Sequence, residues 1–133
     1  MKITEKFQKE IWGYYKKHRR EMPWRSRSAI RDPYKILVSE VMLQQTQVSR
    51  VLQKYPEFIR VFPSFRTLAR APLSKIFRAW QGMGYNRRAI ALKKIAEIVV
   101  RDYQGKLPRD PKVLETFPGI GKATAGAICA FAF

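Results

Sequence analysis

Nowhere along this chain do apolar side chains alternate with the period of two that a half-buried strand requires. They recur instead at spacings of three and four, in runs cut short by prolines and glycines. The pattern dictates an all-α fold built from many short helices. Phe7, Ile11, Tyr14 and Tyr15 predict an amphipathic helix over residues 4–18, followed by a polar, basic loop over 19–33 with Pro23 and Pro33. From Tyr34 to Gln45 the apolar residues point all round, which predicts a helix buried on most sides. Val48 to Val61 continues as a helix stopped by Pro63, a short turn covers Phe65 to Arg70, and Pro72 opens a helix ending at Trp80. Ala89, Leu92, Ala96, Val99, Val100 and Tyr103 mark one face of a long helix from about Asn86, ended by Gly105 and Pro108. Asp110 can cap the next helix, with Pro111 at the first-turn position where its missing N–H costs nothing. A last helix, "KATAGAICAFAF", runs to Phe133 almost wholly apolar and without a cap, and so reads as a truncated end.

Hydrophobic residues make up 46% of the chain, too many for a disordered polypeptide, and 133 residues suffice for a single domain with a modest core. The formal net charge of +17 decides the class of partner. Nine Lys or Arg and no acid lie between Glu57 and Glu97, and Lys16, Lys17, Arg19, Arg20, Arg25 and Arg27 form a second cluster. Such a field attracts polyanions in a salt-dependent way, and nucleic acid is the leading candidate over an anionic membrane or an acidic protein. No apolar run reaches the roughly 18 residues of a membrane span, and the N-terminus lacks the apolar core of a signal peptide. The single Cys129 cannot staple the chain internally, which fits a reducing compartment and a small core residue.

Two stretches carry candidate chemistry. In "SEVMLQQTQV" (39–48), Glu40 is the one charged residue between Lys35 and Arg50, set among Ile36, Leu37, Val38, Val41, Met42 and Leu43. In "FPGIGKATA" (117–125), Gly119 and Gly121 can take positive φ and let a ligand approach backbone. The N–H groups opening the following helix form an anion site, and Lys122 adds a charge there. A glycine turn between packed helices and a half-exposed surface glutamate are the bland alternatives.

Together with these, "MPWR" (22–25), "DPYKILVSEVMLQQTQV" (32–48), "FPSFRTLARAP" (62–72) and "WQGMGYNRRAIALKKIA" (80–96) resemble the MutY-type adenine DNA glycosylases of the helix-hairpin-helix superfamily. The likeness runs through essentially all of the chain in the family's order, and the SEVMLQQT block is its most specific part. It implies one truncated helical catalytic domain over residues 1–133, with the helix-hairpin-helix at 110–133 and an N-terminal helix whose partner helices are missing. It also implies base-excision repair: removal of adenine mispaired with 8-oxoguanine or guanine, by a monomer bound to double-stranded DNA, in the cytoplasm if the source is prokaryotic.

By the resemblance, Glu40 is the general acid that protonates the departing adenine, and apolar surroundings would favour its protonated form. Gln44, Gln45 and Thr46 would reach into the duplex, Gln45 wedging the stack and Thr46 lying near the oxidised guanine. Filling the gap left by a flipped base offsets a cost of a few kcal/mol. Tyr85, after Gly84 and beside Arg87 and Arg88, would stack in the opened duplex with phosphate contacts at its side. Trp24 and Arg25 would line the adenine pocket, and Gly119, Gly121, Lys122 and Thr124 would hold a phosphate. Backbone carbonyls of Glu115, Phe117 and Ile120 would hold a monovalent cation. Two departures stand out: Asn86 replaces a second aromatic, and "SRSAIRD" before Pro33 is longer than the family pattern. Ala123 occupies the position where bifunctional relatives carry a nucleophilic lysine, which implies a monofunctional enzyme.

The family's second carboxylate, its four cluster-binding cysteines and its lesion-sensing domain would all follow Phe133. The chain is therefore expected to bind DNA but to excise weakly or not at all, with a [4Fe-4S] cluster only in a full-length parent. A sister glycosylase acting on another mismatched base, such as thymine, and a non-enzymatic DNA-binding module are the alternatives. Glu40 argues against the thymine-directed relatives, which lack that acid.

Overall fold

A computed structural model describes residues 32–84 and 86–133. The helix expected over 4–18 and the loop after it lie outside the described residues, apart from Asp32 and Pro33. Seven helical segments follow in order: α1 Pro33–Leu43, α2 Val48–Val61, α3 Phe65–Arg70, α4 Leu73–Trp80, α5 Arg87–Asp102, α6 Pro111–Leu114 and α7 Lys122–Ala132. Among the described residues there is no strand.

Local chemistry explains most of the boundaries. Asp32 caps α1 by accepting the Tyr34 N–H at 3.0 Å, with Pro33 in the first turn. Asp110 and Pro111 repeat the device at α6. Ser64 and Thr67 close a capping box on α3, each accepting the other's backbone N–H. At the far end of α5, Gln104 and Gly105 take φ of 55° and 79°, and the Gly105 N–H returns to the Val99 carbonyl at 3.0 Å. The helix α2 runs through Pro56, which sits on its exposed side.

Helix α1 is the centre of the packing, against α2, α5 and α7. Its residues Ile36, Leu37, Val38, Val41 and Met42 are all buried, as an apolar run on every face requires. On α5, Ala89, Leu92, Ile95, Ala96 and Val99 form the buried stripe, while Val100 and Tyr103 pack at its margin. Phe58 stacks edge-on to Trp80 at 6.0 Å and lies 5.0 Å from Phe62. The Tyr34 hydroxyl donates to the Phe62 carbonyl, which ties α1 to the end of α2. Lys93 donates to the carbonyls of Ala69 and Ala71 at 2.7 and 2.8 Å, completing the C-terminus of α3 from a neighbouring helix. Cys129 is partly buried, its thiol donating to the Arg109 carbonyl.

Candidate nucleic-acid interface

Three loops meet at one end of this bundle. The loop after α1 (44–47), the turn after α4 (81–84) and the hairpin turn between α6 and α7 (115–121) are joined by side-chain hydrogen bonds. Gln44 donates its amide to the Gly119 carbonyl at 3.3 Å and to Thr124 Oγ1 at 3.0 Å, linking α1 to the hairpin. Thr46 donates to the Met83 carbonyl, linking the first loop to the second.

Each loop feeds the N-terminus of a long helix: α2, α5 and α7. Helix N-termini carry partial positive charge and usually attract Asp or Glu. Here none of the three has an acid in its first turn. Arg50, Arg87 and Lys122 stand exposed in those first turns instead, against the helix dipoles. Cations at these positions add their charge to that of the helix ends, and three such ends share one face.

The hairpin glycines divide their labour differently from expectation. Gly119 uses positive φ, at 76°, and a Cβ there would stand 3.2 Å from that of Ala91 on α5. Gly121 does not: its φ is −89°, and a Cβ would meet nothing within 4 Å. The fold itself leaves Gly121 room for a side chain and imposes no glycine-only φ there. Lys122 and Ala123 are exposed in the turn that follows.

Gln45 is exposed with φ 56°, at the position after a helix where glycine is the low-cost choice. Left-handed backbone costs an ordinary residue roughly 1–2 kcal/mol. A glutamine held there at that cost projects its side chain from the tip of the loop. Opposite it, Gly82 and Gly84 take φ of 85° and 99° on either side of the buried Met83. A cleft of ≈ 540 Å³ opens beside them, lined by Ser74, Phe77, Arg78, Gln81 and Asn86.

Glu40 lies one turn before Gln44 on α1 and is half-buried. Residues four apart share a helix face, so Glu40 occupies the stripe that Gln44 turns toward the first turn of α7. Its sequence neighbours Ser39 and Val41 are buried, the Ser39 hydroxyl donating to the Ile36 carbonyl. Trp24, Arg25 and Tyr85 lie outside the described residues.

Two residues read from sequence as facing DNA are engaged inside the protein. Thr46 is buried, its hydroxyl held between Met83 and Arg88. Arg88, unlike Arg87, is not displayed for phosphate. It is half-buried and donates to the carbonyls of Val41, Met42, Gln44 and Met83 and to Thr46 Oγ1. Burial lowers its pKa from the ordinary arginine value. Composition grouped Arg88 with the other surface cations, and nothing in a single sequence separates an arginine that caps from one that reaches into solvent.

Among the described residues no group of three or more His, Cys, Asp or Glu could hold a metal ion. With one cysteine in the sequence, the four thiolates of an iron–sulfur cluster do not fit within this chain. In the hairpin, the Phe117 carbonyl accepts the Ile120 N–H at 3.2 Å, which leaves it a second lone pair.

Residues 38–129 match the family described as "HhH-GPD superfamily base excision DNA repair protein". An adenine DNA glycosylase of Mycobacterium tuberculosis is 40% identical over 123 residues, 92% of this chain and 40% of that protein. The chain thus spans about two-fifths of that relative's length. The solved structure of a thermostable thymine-DNA glycosylase superposes with TM-score 0.78 at 34% identity, covering 99% of this chain and 62% of that one. A trapped endonuclease III–DNA covalent intermediate gives TM-score 0.74 at 20% identity, covering 100% and 62%, which speaks to the fold alone. Helical architecture, hairpin and sequence agree: this chain belongs to the HhH-GPD superfamily of base excision DNA repair proteins.

Proposed function

We propose that the chain is the part of an adenine DNA glycosylase that grips the duplex and supplies the general acid. The observation that carries this reading is the joining of α1 to the hairpin: the helix bearing Glu40 ends in the Gln45 turn and is bonded through Gln44 to the loop that opens α7. Three acid-free helix N-termini beside that junction suit a phosphate backbone. Gln45 enters the base stack, and the target adenine turns out toward Glu40, which protonates the ring as the N-glycosidic bond breaks. Lys122 and the bare backbone of Gly121 receive a phosphate. The carbonyls of Glu115, Phe117 and Ile120 suit a monovalent cation bridging hairpin and DNA. Ala123 leaves the hairpin without an amine nucleophile at that position, which favours hydrolysis over strand cleavage.

Adenine is preferred as the target because the Mycobacterium relative carries that name and because Glu40 supplies the acid that adenine departure needs. The thymine-DNA glycosylase structure makes a mismatched thymine the second reading. Binding to duplexes holding A:8-oxoguanine, T:G or A:T at matched salt separates them, together with single-turnover release of each base. Tighter binding of this chain to A:8-oxoguanine is expected, and in a full-length parent Glu40→Gln should abolish adenine release with affinity kept. Adenine turnover that survives Glu40→Gln refutes the mechanism. Equal affinity for all three duplexes favours a binding module.

A further inference from the structure

Helix α1 presents an electrostatic problem to a face otherwise built from helix N-termini. Its C-terminus brings unpaired carbonyls, the negative end of a helix dipole, to the same place. Arg88 removes that negative end. One of its terminal nitrogens, Nη1, serves the carbonyls of Val41 and Met42 at 3.2 and 3.0 Å and that of Gln44 as well. The other, Nη2, donates to Thr46 Oγ1 and the Met83 carbonyl, both at 2.6 Å. The guanidinium carbon lies 5.4 Å from the centre of the Trp80 ring, a cation–π contact that fixes its plane.

Its five acceptors come from two turns that are far apart in sequence. On one side is the loop whose tip is Gln45, in left-handed backbone; on the other is Met83, between the left-handed Gly82 and Gly84. Glycines on both sides give the second turn little stiffness of its own. We propose that Arg88 is a positioning residue that locks these two turns at one separation, so that they enter DNA as a single unit and extrude a base together. The proposal deepens the glycosylase reading and rests on it for the DNA step, but the lock itself is a property of the protein alone. A lysine keeps the charge but cannot serve all five acceptors at once, because a single ammonium lacks the second nitrogen of the planar fork that also caps the carbonyls of Val41, Met42 and Gln44.

The test compares Arg88→Lys and Arg88→Gln with Lys93→Gln, which removes a comparable cap from α3, away from both turns. Amide exchange is followed in peptides covering 44–47 and 82–84. Affinity is measured for A:8-oxoguanine and A:T duplexes, with 2-aminopurine fluorescence at the target position reporting extrusion. Both Arg88 variants are expected to speed exchange in the two segments together. They should also lose about tenfold in preference for the mismatch, since small misplacements of a positioned group carry penalties of up to about a hundredfold. Lys93→Gln should lower the melting temperature and keep the preference. Arg88→Lys with wild-type preference, faster exchange in one segment only, or an equal loss in Lys93→Gln overturns the proposal. If the wild type shows no mismatch preference, the glycosylase reading fails. The exchange comparison then decides the lock by itself: a parallel rise supports it, and anything else overturns it.

Discussion

Replacing Gln44 by Met keeps the side chain's length and volume while deleting both donors that tie α1 to the hairpin. The bond to Thr124 Oγ1, at 3.0 Å and partly buried, contributes about 1 kcal/mol. The bond to the Gly119 carbonyl is longer, at 3.3 Å, and water can replace it on that exposed backbone, so it falls near the low end, about 0.5 kcal/mol. The two give roughly 1.5 kcal/mol, which for a domain of this size lowers the melting temperature by about 4–6 °C. Thermal unfolding followed by circular dichroism measures the shift. Thr124→Val removes one of the same bonds from the other side, so the double variant must cost less than the two singles combined. In binding, Gln44→Met should weaken discrimination between A:8-oxoguanine and A:T more than it weakens binding to either, because the hairpin remains cationic. An unchanged melting temperature, or strict additivity with Thr124→Val, refutes the claim that this amide joins α1 to the hairpin turn.

The two hairpin glycines should separate in opposite senses. Gly121→Ala meets no atom and no unfavourable φ, so thermal stability is kept or slightly raised, while duplex affinity falls as the new methyl blocks the approaching backbone. Gly119→Ala, at φ 76° and 3.2 Å from Ala91, should cost about 1–2 kcal/mol in chemical denaturation. Lys122→Ala should lower duplex affinity equally for all sequences and reduce the slope of log affinity against log salt by about one contact's share.

Periodicity and punctuation carried the fold a long way. The boundaries expected at Val61, Arg70 and Trp80 are those observed, because prolines and a capping box are local instructions that need no tertiary partner. The hydrophobic stripe on α5 was legible for the same reason: a helix repeats its faces wherever it lies. The motifs gave the family, and with it the residues worth naming at the site.

Charge, however, reads as a single quantity in a sequence and divides into different roles in space. Arg87 and Arg88 are adjacent, yet one is exposed and the other seals the carbonyl end of α1, because consecutive positions on a helix point about 100° apart. Thr46 and Gln44 also hold loops together through hydrogen bonds that no motif announces. Gly121 shared its expected role with Gly119 until φ told them apart. The sequence alone determined the helical class, several helix limits and the sign of the chain's own charge, since these follow from covalent geometry and composition, though the helix expected to reach Gln45 ends at Leu43. Only tertiary structure decided which polar side chains face outward, because that depends on where carbonyls from distant helices come to lie without partners.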